Sequence, residues 1–266
     1  MARMTSIREL PERARRPGRA AALVVRELGI MLVAVLAYFA IRGLTEGARA
    51  DALVNAARVV DIERALGIHV EEDLQDLILQ SHALITLANW VYIWGHWPFI
   101  AVVAAWLVLV HPGEYRVLRN AFLVSGSAGL VVFALFPVAP PRLYDGTFVD
   151  TVTEYSRAYR VLQPPALVNQ YAALPSFHFG WNLLIGLGIV RCAPWRWLKA
   201  VGIVAPAAMG LATILTANHY LLDLVVGAAM ALAALYAVEL ARGRRFAPWQ
   251  LGVWLQPAER VEPDAA

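Results

Sequence analysis

Residues 171–182 read YAALPSFHFGWN, and they place His178 between two phenylalanines at the start of an apolar run. The run approaches the ~20 apolar residues needed to cross the hydrocarbon core of a membrane. An imidazole is costly on a surface that faces lipid, so a histidine at this place indicates a functional group. The stretch therefore predicts a membrane helix whose first residues carry a function, with Phe177 and Phe179 seating the helix end in lipid.

The composition is typical of a membrane protein. Hydrophobic residues make up 59% of the 266 residues and charged residues only 16%, whereas soluble domains carry about a quarter charged residues. We expect an all-α, polytopic bundle of six transmembrane helices with short amphipathic helices on its surface. The expected spans are Leu28–Leu44, Trp90–Val110, Asn120–Val138, Phe177–Ala193, Leu198–Ala217 and Tyr220–Leu240.

Basic residues predict the orientation of the bundle. Arginines are dense before the first span, and basic residues recur after the second, fourth and sixth, whereas the alternate connections are balanced or acidic. By the positive-inside rule, both chain termini lie in the cytoplasm. We expect a multi-pass protein of the cell (plasma) membrane, with a disordered basic segment at 1–20, a single membrane domain at 21–245 and a cytoplasmic tail at 246–266. The arginines do not gather on one face, which argues against a nucleic-acid partner.

The connection between the first two spans mixes charged and apolar residues with a helical period. Short helices that lie on the outer membrane surface fit this pattern. We expect them to form a packing collar around the bundle. Their predicted apolar face consists of Leu53, Ala57, Val60, Leu74, Leu77 and Ile78.

The second span opens with polar residues at helical spacing. Asn89, Tyr92 and His96 lie near one helical face and could point together into the bundle. Such groups either satisfy one another or a backbone carbonyl, or they support substrate binding. We assign Tyr92 and His96 to substrate binding, and we expect Pro98 to kink the helix.

The last span carries an acidic group close to a histidine. Asp223 follows His219 by four residues, and residues at this spacing on a helix have Cβ atoms about 5–6 Å apart. The carboxylate can accept a hydrogen bond from one ring nitrogen, which fixes the tautomer and makes the other nitrogen more basic. The pair therefore predicts an oriented nucleophile or base.

The predicted topology places His178 and His219 at the same outer end of the bundle. Two imidazoles and a carboxylate in one layer suit a phosphoryl transfer, in which one imidazole attacks phosphorus and the other protonates the departing oxygen. The reaction also needs fixed positive charge beside the phosphate oxygens. Arg142, which follows a proline-rich segment, could supply that charge.

Two other interpretations of these residues stay open. His178, His219 and Asp223 could bind a metal ion as a site of two histidines and one carboxylate, in a metal-dependent membrane hydrolase. The polar residues could instead line the pathway of a transporter or channel that is not an enzyme. The second interpretation is disfavoured, because the ionisable residues gather at one surface and the deep interior of the spans is nearly free of charge.

The segments LPSFH and NHYLLD, with FPVAPPRL upstream, resemble the type 2 phosphatidic acid phosphatase superfamily. Within it the chain looks most like the branch that includes inositol phosphorylceramide synthases. The likeness extends from about Asp61 to Gly227. Each motif is short, but their order, their spacing and their shared membrane side make the combination specific.

The resemblance implies a six-helix bundle and metal-independent chemistry through a phosphohistidine intermediate. By motif, His219 matches the nucleophile, Asp223 the carboxylate that orients it, and His178 the acid that protonates the leaving group. Ser176 matches the serine that helps to hold phosphate. We also assign Asn218, within the NHYLLD segment, to substrate binding.

Two positions depart from the pattern of the phosphatase members. Those members have a lysine six residues before an Arg-Pro pair and an arginine six residues before the nucleophilic histidine. In this chain the segment before Arg142 contains no lysine, Leu143 follows Arg142, and Thr213 occupies the second arginine position. The less cationic pocket favours the synthase-like branch.

We therefore expect a bacterial lipid-phosphate phosphatase or inositolphosphotransferase-like phosphotransferase, with its active site on the extracytoplasmic side. The expected partners are a lipid phosphate substrate, the surrounding membrane lipids and, for a transfer reaction, a polyol acceptor such as inositol. No cofactor and no metal ion is expected. The bacterial origin is inferred from the scarcity of lysine among the basic residues and the abundance of alanine.

Overall fold

The computed structural model describes residues 49–156 and 170–243, with a few further positions between 22 and 36. This part of the chain is all-helical, as predicted, and the only β-pairing within it is an isolated parallel bridge between Val138 and Ala172. The expected segments at 1–20 and 246–266, and most of the expected first span, lie outside the described residues. The helices are α1 (Arg49–Leu66), α2 (Glu71–Leu79), α3 (His82–Trp94), α4 (Trp97–Val110), α5 (Pro112–Leu135), α6 (Pro141–Tyr144), α7 (Thr151–Tyr155), α8 (Phe177–Cys192), α9 (Arg196–Leu215) and α10 (Leu221–Ala241).

Three helices of the described residues, α5, α9 and α10, are long and apolar enough to cross a membrane. A fourth candidate span arises if α3 and α4, which meet at an angle of 43°, count as one. Helix α8 is apolar but has only 16 residues, which gives a length of about 24 Å at 1.5 Å per residue. The described residues thus contain three or four candidate spans where five of the six expected ones fall.

The expected single span at Trp90–Val110 is two helices that meet at an angle of 43°, so the chain bends beside Pro98 as predicted, through a full break at Gly95 and His96. Helix α3 begins at His82 and ends before Gly95, and α4 starts at Trp97. Pro98 occupies the first turn of α4, where its missing N–H costs no hydrogen bond. A Cβ at Gly95 would lie 3.0 Å from Met209 Cε, which shows how closely α9 approaches the break.

Helix α8 lies at the centre of the bundle and packs against α4, α5, α9 and α10. Its glycines permit close approach to different neighbours. Gly186 faces the backbone of Gly202 in α9, and a Cβ at Gly180 would lie 2.5 Å from the carbonyl oxygen of Gly227 in α10. The small residues therefore let the three backbones touch, as expected for helix contacts in a membrane.

The surface helices are present, but their predicted apolar face is partly wrong. In α2, Leu77 is 70% exposed, and the buried residues are Glu71, Gln75 and Ile78. In α1 the buried face includes Glu63. Apolar periodicity could not find this face, because its polar side chains are buried through hydrogen bonds to distant backbone groups.

An ion cluster joins three helices at the end of the bundle opposite His178. Arg191 Nη1 of α8 lies 2.8 Å from Glu114 Oε1 of α5 and 2.7 Å from Glu239 Oε1 of α10. All three side chains are largely buried. Below, these residues are called the Arg191 cluster, and they fix the far ends of the helices that carry the site.

Candidate active site

The start of α8 is fastened to α10 by Ser176. Its hydroxyl oxygen accepts a hydrogen bond from the N–H of Phe179 at 3.4 Å, and its own N–H donates to the carbonyl oxygen of Asp223 at 2.9 Å. Ser176 is fully buried, and Gly227 packs directly against its backbone. The side chain expected to hold phosphate thus caps the helix that carries His178.

Phe177 and Phe179 do not seat the helix end in lipid, and that prediction is wrong. The ring of Phe177 lies on Gly129 of α5, and it stacks on Trp181 with ring centroids 4.7 Å apart. The ring of Phe179 approaches Gly210 of α9, where a Cβ would lie 2.9 Å from Cδ2. Each ring fills the space beside a glycine, so both phenylalanines fix the position of His178 between them.

His219 lies in the short turn between α9 and α10. The N–H groups of Asn218 and His219 both donate to the carbonyl oxygen of Thr213, at 2.9 and 3.2 Å. The preceding residue, Ala217, has a positive φ of 54°, a conformation uncommon for residues other than glycine. The turn is buried, which holds the imidazole at the entrance of α10.

The ring nitrogens of His219 have different partners. Nδ1 lies 2.8 Å from the carbonyl oxygen of Ala173 and 3.3 Å from Asp223 Oδ2, whereas Nε2 lies 3.3 Å from His178 Nδ1. Both partners of Nδ1 are acceptors, so Nδ1 carries the proton. The lone pair of Nε2 then points at His178, whose Nδ1 is the donor of that contact.

Asp223 is fully buried directly behind His219. Its Oδ2 atom accepts a second hydrogen bond, from the N–H of Tyr220 at 2.9 Å, and this bond holds the carboxylate at the start of α10. The structure therefore brings together the three residues assigned to catalysis, in the order Asp223, His219, His178.

The polar residues expected at the start of the second span divide between two sites. Tyr92 stacks on His178 with ring centroids 4.7 Å apart, and His96 lies against the same ring at 4.3 Å. Asn89 instead forms two hydrogen bonds with Thr151 of α7, at 2.8 and 3.0 Å. Tyr92 and His96 thus support His178, and Asn89 fastens α7 to α3.

Asn182, which the sequence analysis did not single out, links His96 to the start of α8. Its Nδ2 atom donates to the carbonyl oxygen of His178 at 2.8 Å and lies 3.1 Å from His96 Nδ1. Asn182 is fully buried on the next turn of α8. A search for polar residues one turn from His178 would have found it, since residues four apart share a helix face.

Arg142 is held by the turn that carries His219. Its backbone N–H donates to the carbonyl oxygen of Ala217 at 3.0 Å, its Nη1 donates to Asn218 Oδ1 at 2.6 Å, and its Nε lies 3.3 Å from Asp150 Oδ2. The guanidinium lies within electrostatic reach of both His178 and His219. The structure thus places a fixed positive charge beside the histidine pair.

Asn218, assigned to substrate binding, already uses its side chain within the protein. Its Nδ2 group donates to the carbonyl oxygen and to the hydroxyl of Thr216, at 3.1 and 2.9 Å, while its Oδ1 accepts from Arg142. It therefore orients Arg142. Asp150, which sequence reasoning missed, also holds Arg142, and it caps α7 by accepting from the N–H of Thr153. An aspartate directly before a short helix is the signal that could have found it.

The geometry does not suit a metal site at the catalytic residues. Asp223 and His178 lie beside different nitrogens of the His219 ring, so the three side chains do not converge on one point. In the described ranges, Glu63, His69 and Glu71 are the one group whose possible ligand atoms all lie within 4.8 Å of one another. Their carboxylate oxygens are engaged by backbone N–H groups and by His69.

Two surface cavities lie away from the histidine pair. The larger measures about 480 Å³ and is lined by His82, Ala83, Thr86, Leu87 and Trp90. The smaller, of about 320 Å³, lies between α1 and the end of α5. Nε2 of His219 and Nδ1 of His178 are only 3.3 Å apart, so no further group lies between the two rings.

Comparison with known proteins identifies one family. The sequence model described as the PAP2 superfamily matches residues 57–237, a range that begins in α1 and ends in α10. The match includes every residue assigned to the candidate site. No curated protein and no solved structure gives a significant match to the chain.

Proposed function

Because the chain belongs to the PAP2 superfamily, we propose that it is a membrane-embedded phosphotransferase or phosphatase that acts on a lipid phosphate through a phosphohistidine at His219. Superfamily membership indicates a phosphatase-type activity on lipid phosphate and association with a membrane. The observation that carries the finer proposal is the contact of His219 Nε2 with His178 Nδ1 at 3.3 Å, with Asp223 behind His219.

In the first step, Nε2 of His219 attacks phosphorus and forms the P–N bond. The P–O bond to the lipid group breaks, and His178 donates a proton to the departing oxygen. As Nε2 becomes bonded, the ring gains positive charge. Asp223 and the Ala173 carbonyl, both beside Nδ1, stabilise that charge.

In the second step, His178 accepts a proton from the incoming water or polyol hydroxyl. The oxygen attacks phosphorus, the P–N bond breaks, and Nε2 regains its lone pair. Hydrolase and transferase thus differ only in the acceptor. Arg142 balances the charge of the phosphate oxygens in both steps.

Among the described residues, positive charge around the site is sparse, which supports the inositol phosphorylceramide synthase-like branch. Thr213 is fully buried, and its hydroxyl donates to the carbonyl oxygen of Gly210 at 2.7 Å, so it fills the place of a motif arginine without a charge. Arg142 supplies the positive charge that the site does have. A polyol acceptor such as inositol is the transfer partner proposed on this basis.

We also propose six spans, cytoplasmic termini and an extracytoplasmic site in the cell membrane. The antiparallel helices support this topology, since the starts of α8 and α10 share one end of the bundle with the histidines. The start of α5 shares the other end with Arg191 and Glu239. That second end carries the basic connections, which favours a cytoplasmic position.

The proposal is tested with purified protein in detergent and a panel of diacylglyceryl, prenyl and sphingoid phosphates, each with and without inositol. Free phosphate identifies a phosphatase, and a new inositol phospholipid identifies a transferase. Protein incubated with the ³²P-labelled substrate and denatured in alkali should retain label on His219, because phosphohistidine is stable in base. His219→Ala should abolish both turnover and label.

Two outcomes contradict the mechanism. Substantial turnover by folded His219→Ala protein would remove His219 as the nucleophile. Loss of activity with a chelator, together with insensitivity to vanadate, would favour the metal-dependent hydrolase. A comparison with Asn89→Ala, which disturbs a buried hydrogen bond of α3 away from the histidines, controls for damage to the fold.

A further inference from the structure

Glu63 and Glu71 belong to surface helices, yet both are fully buried. Glu63 Oε1 accepts a hydrogen bond from the N–H of Leu222, and Glu71 Oε1 accepts one from the N–H of Leu221, each at 2.7 Å. These N–H groups belong to the first turn of α10, where they have no partner within the helix. Two carboxylates from distant parts of the sequence thus cap the helix that follows His219.

The neighbouring N–H group is also bound by a carboxylate. Tyr220 N–H donates to Asp223 Oδ2, the atom that faces His219. Three successive N–H groups, from Tyr220 to Leu222, are therefore each fixed by an acidic side chain. The positive end of the helix dipole stabilises negative charge at this place, and charge-assisted bonds of this length are strong.

We propose that Glu63 and Glu71 are positioning residues for the nucleophile, and this inference rests on the function proposed above. Their hydrogen bonds go to His69 and to backbone N–H groups rather than to either catalytic imidazole, but they determine where α10 begins. His219 precedes Leu221 by two residues, so a shift of this turn displaces Nε2 relative to His178. A misplacement of 1 Å can cost about 100-fold in rate.

His69 makes the pair of acids compatible with burial. Its Nδ1 atom lies 3.2 Å from Glu63 Oε2 and 3.0 Å from Glu71 Oε2, and its side chain is 18% exposed. The two Oε2 atoms can share a proton on Nδ1 of His69, which reduces the repulsion between the carboxylates. The two Oε1 atoms then accept hydrogen bonds from the N–H groups of Leu221 and Leu222.

The surface helices thus become part of the catalytic machinery's support. Gln75, on the same buried face of α2, fastens two further segments: its Nε2 donates to the carbonyl oxygens of Val149 and Leu215, at 3.0 and 3.1 Å. Leu215 is the last residue of α9, just before the turn of His219. Helices α1 and α2 therefore form hydrogen bonds on both sides of the turn that carries His219, with Leu215 before it and with Leu221 and Leu222 after it.

The test compares three variants of Glu71 in full-length protein. Glu71→Gln keeps an acceptor oxygen, Glu71→Asp draws the carboxylate away from Leu221, and Glu71→Ala removes it. We expect Asp and Ala to lower kcat by about 100-fold with little change in KM, since the turn is displaced while the phosphate contacts remain. Gln should stay within about threefold of wild type, because the hydrogen bond persists.

Glu239→Ala is the matched control, since it removes a buried carboxylate from the opposite end of the same helix. Even where Glu239→Ala lowers the thermal midpoint as much as Glu71→Ala does, it should leave kcat per folded molecule unchanged. A loss of kcat as large as that of Glu71→Ala would show that any damage to α10 has this effect, and it would overturn the proposal. If Glu71→Gln lost as much kcat as Glu71→Ala, the proposal would also be overturned, because the charge of Glu71 and not its hydrogen bond would then be decisive.

Hydrogen exchange separates this inference from the proposed function. In a peptide covering residues 217–224, the amide of Leu221, which loses its acceptor, should exchange about tenfold faster in Glu71→Ala than in wild type, and at the wild-type rate in Glu239→Ala. This readout needs no substrate. Faster exchange without any lipid-phosphate activity would reject the proposed function alone, whereas unchanged exchange would reject the capping itself.

Discussion

The proton on Nδ1 of His219 is fixed by two oxygen atoms, and only one of them belongs to an acidic residue. The carbonyl oxygen of Ala173 is closer, at 2.8 Å, than Asp223 Oδ2 at 3.3 Å. The carbonyl alone could hold the tautomer. Asp223 adds negative charge, which matters when the ring becomes cationic on forming the P–N bond.

Asp223→Asn should therefore distinguish the role of Asp223 in orienting the His219 ring from its role as a negative counter-charge. The amide oxygen can still accept from the N–H of Tyr220, so the fold is kept, but the cationic ring loses its counter-charge. We expect kcat to fall by about 10²–10⁴-fold, measured as turnover of the best lipid phosphate. Circular dichroism and thermal unfolding verify the fold, and a fall of less than threefold would mean that the Ala173 carbonyl is sufficient.

Sequence spacing could identify the side chains of the site but not all of its contacts. The four-residue interval between His219 and Asp223 predicted their pairing, although the geometry differs from the expected helix face: His219 lies in the turn before α10, and Asp223 reaches back to it from the first turn of the helix. The Ala173 carbonyl has no side-chain signal. Asn218 was assigned to substrate because of its place beside His219, yet its hydrogen bonds go to Thr216 and Arg142. Which way a side chain in a tight turn points depends on the backbone of that turn.

Among the helices, the contact between α8 and α10 sets the distance between the two imidazoles. Gly227 of α10 lies against the backbone of Ser176, immediately before the helix that carries His178. The approach leaves no room for a side chain. One small residue thus controls how near His178 can come to His219.

Gly227→Ala should push α8 away from α10. The added methyl would collide with the Ser176 backbone, which cannot move as a flexible side chain would. We expect a loss of about 1–3 kcal/mol in stability and a larger relative loss of activity. Gly113→Ala in the first turn of α5 is the control, since its Cβ meets nothing within 4 Å. Equal activity in both variants would show that the contact is not needed.

The Arg191 cluster should stabilise the opposite end of the same helices. Arg191→Ala leaves Glu114 and Glu239 buried without their shared cation. Removing one partner of a buried pair costs about 3–5 kcal/mol. Thermal unfolding in detergent should show the loss, and a double variant in which Glu239→Gln is added should recover part of it. No recovery would mean that the charges are not coupled.

The presence of long apolar helices was predictable, because apolar length decides it. The bend beside Pro98 was predictable as well, but not its form, a full break at Gly95 with Pro98 in the first turn of the next helix. Nor could the buried face of α2 be predicted, since burial of Glu71 depends on N–H groups 150 residues away along the chain. Such pairings are tertiary and leave no periodicity.

At the scale of the whole protein, we expect pH to change the stability of the fold through Glu63 of α1. Burial, with the negative charge of Glu71 adding to it, raises the pKa of Glu63 from 4.5 to about 7. Between these values the folded protein binds more protons than the unfolded chain, so stability falls as the pH rises through this range. Glu63→Gln should flatten the dependence, because its amide does not titrate.

The measurement is the thermal midpoint of wild type and Glu63→Gln between pH 4.5 and pH 8, in one detergent. The difference between the two proteins should grow in favour of the variant as the pH rises, and it should level off above about pH 7. If the thermal midpoints of the two proteins change with pH in parallel, the group whose pKa is raised is not Glu63.

The bond between Arg142 and Asn218 ties the cation to the residue that is peptide-linked to the nucleophile. The backbone N–H of Arg142 also donates to the carbonyl oxygen of Ala217, so two hydrogen bonds hold α6 and its guanidinium against the turn that carries His219. In the proposed mechanism, a phosphate that enters between the two rings therefore separates His178 from a hydrogen-bonded unit that keeps the cation and the nucleophile together.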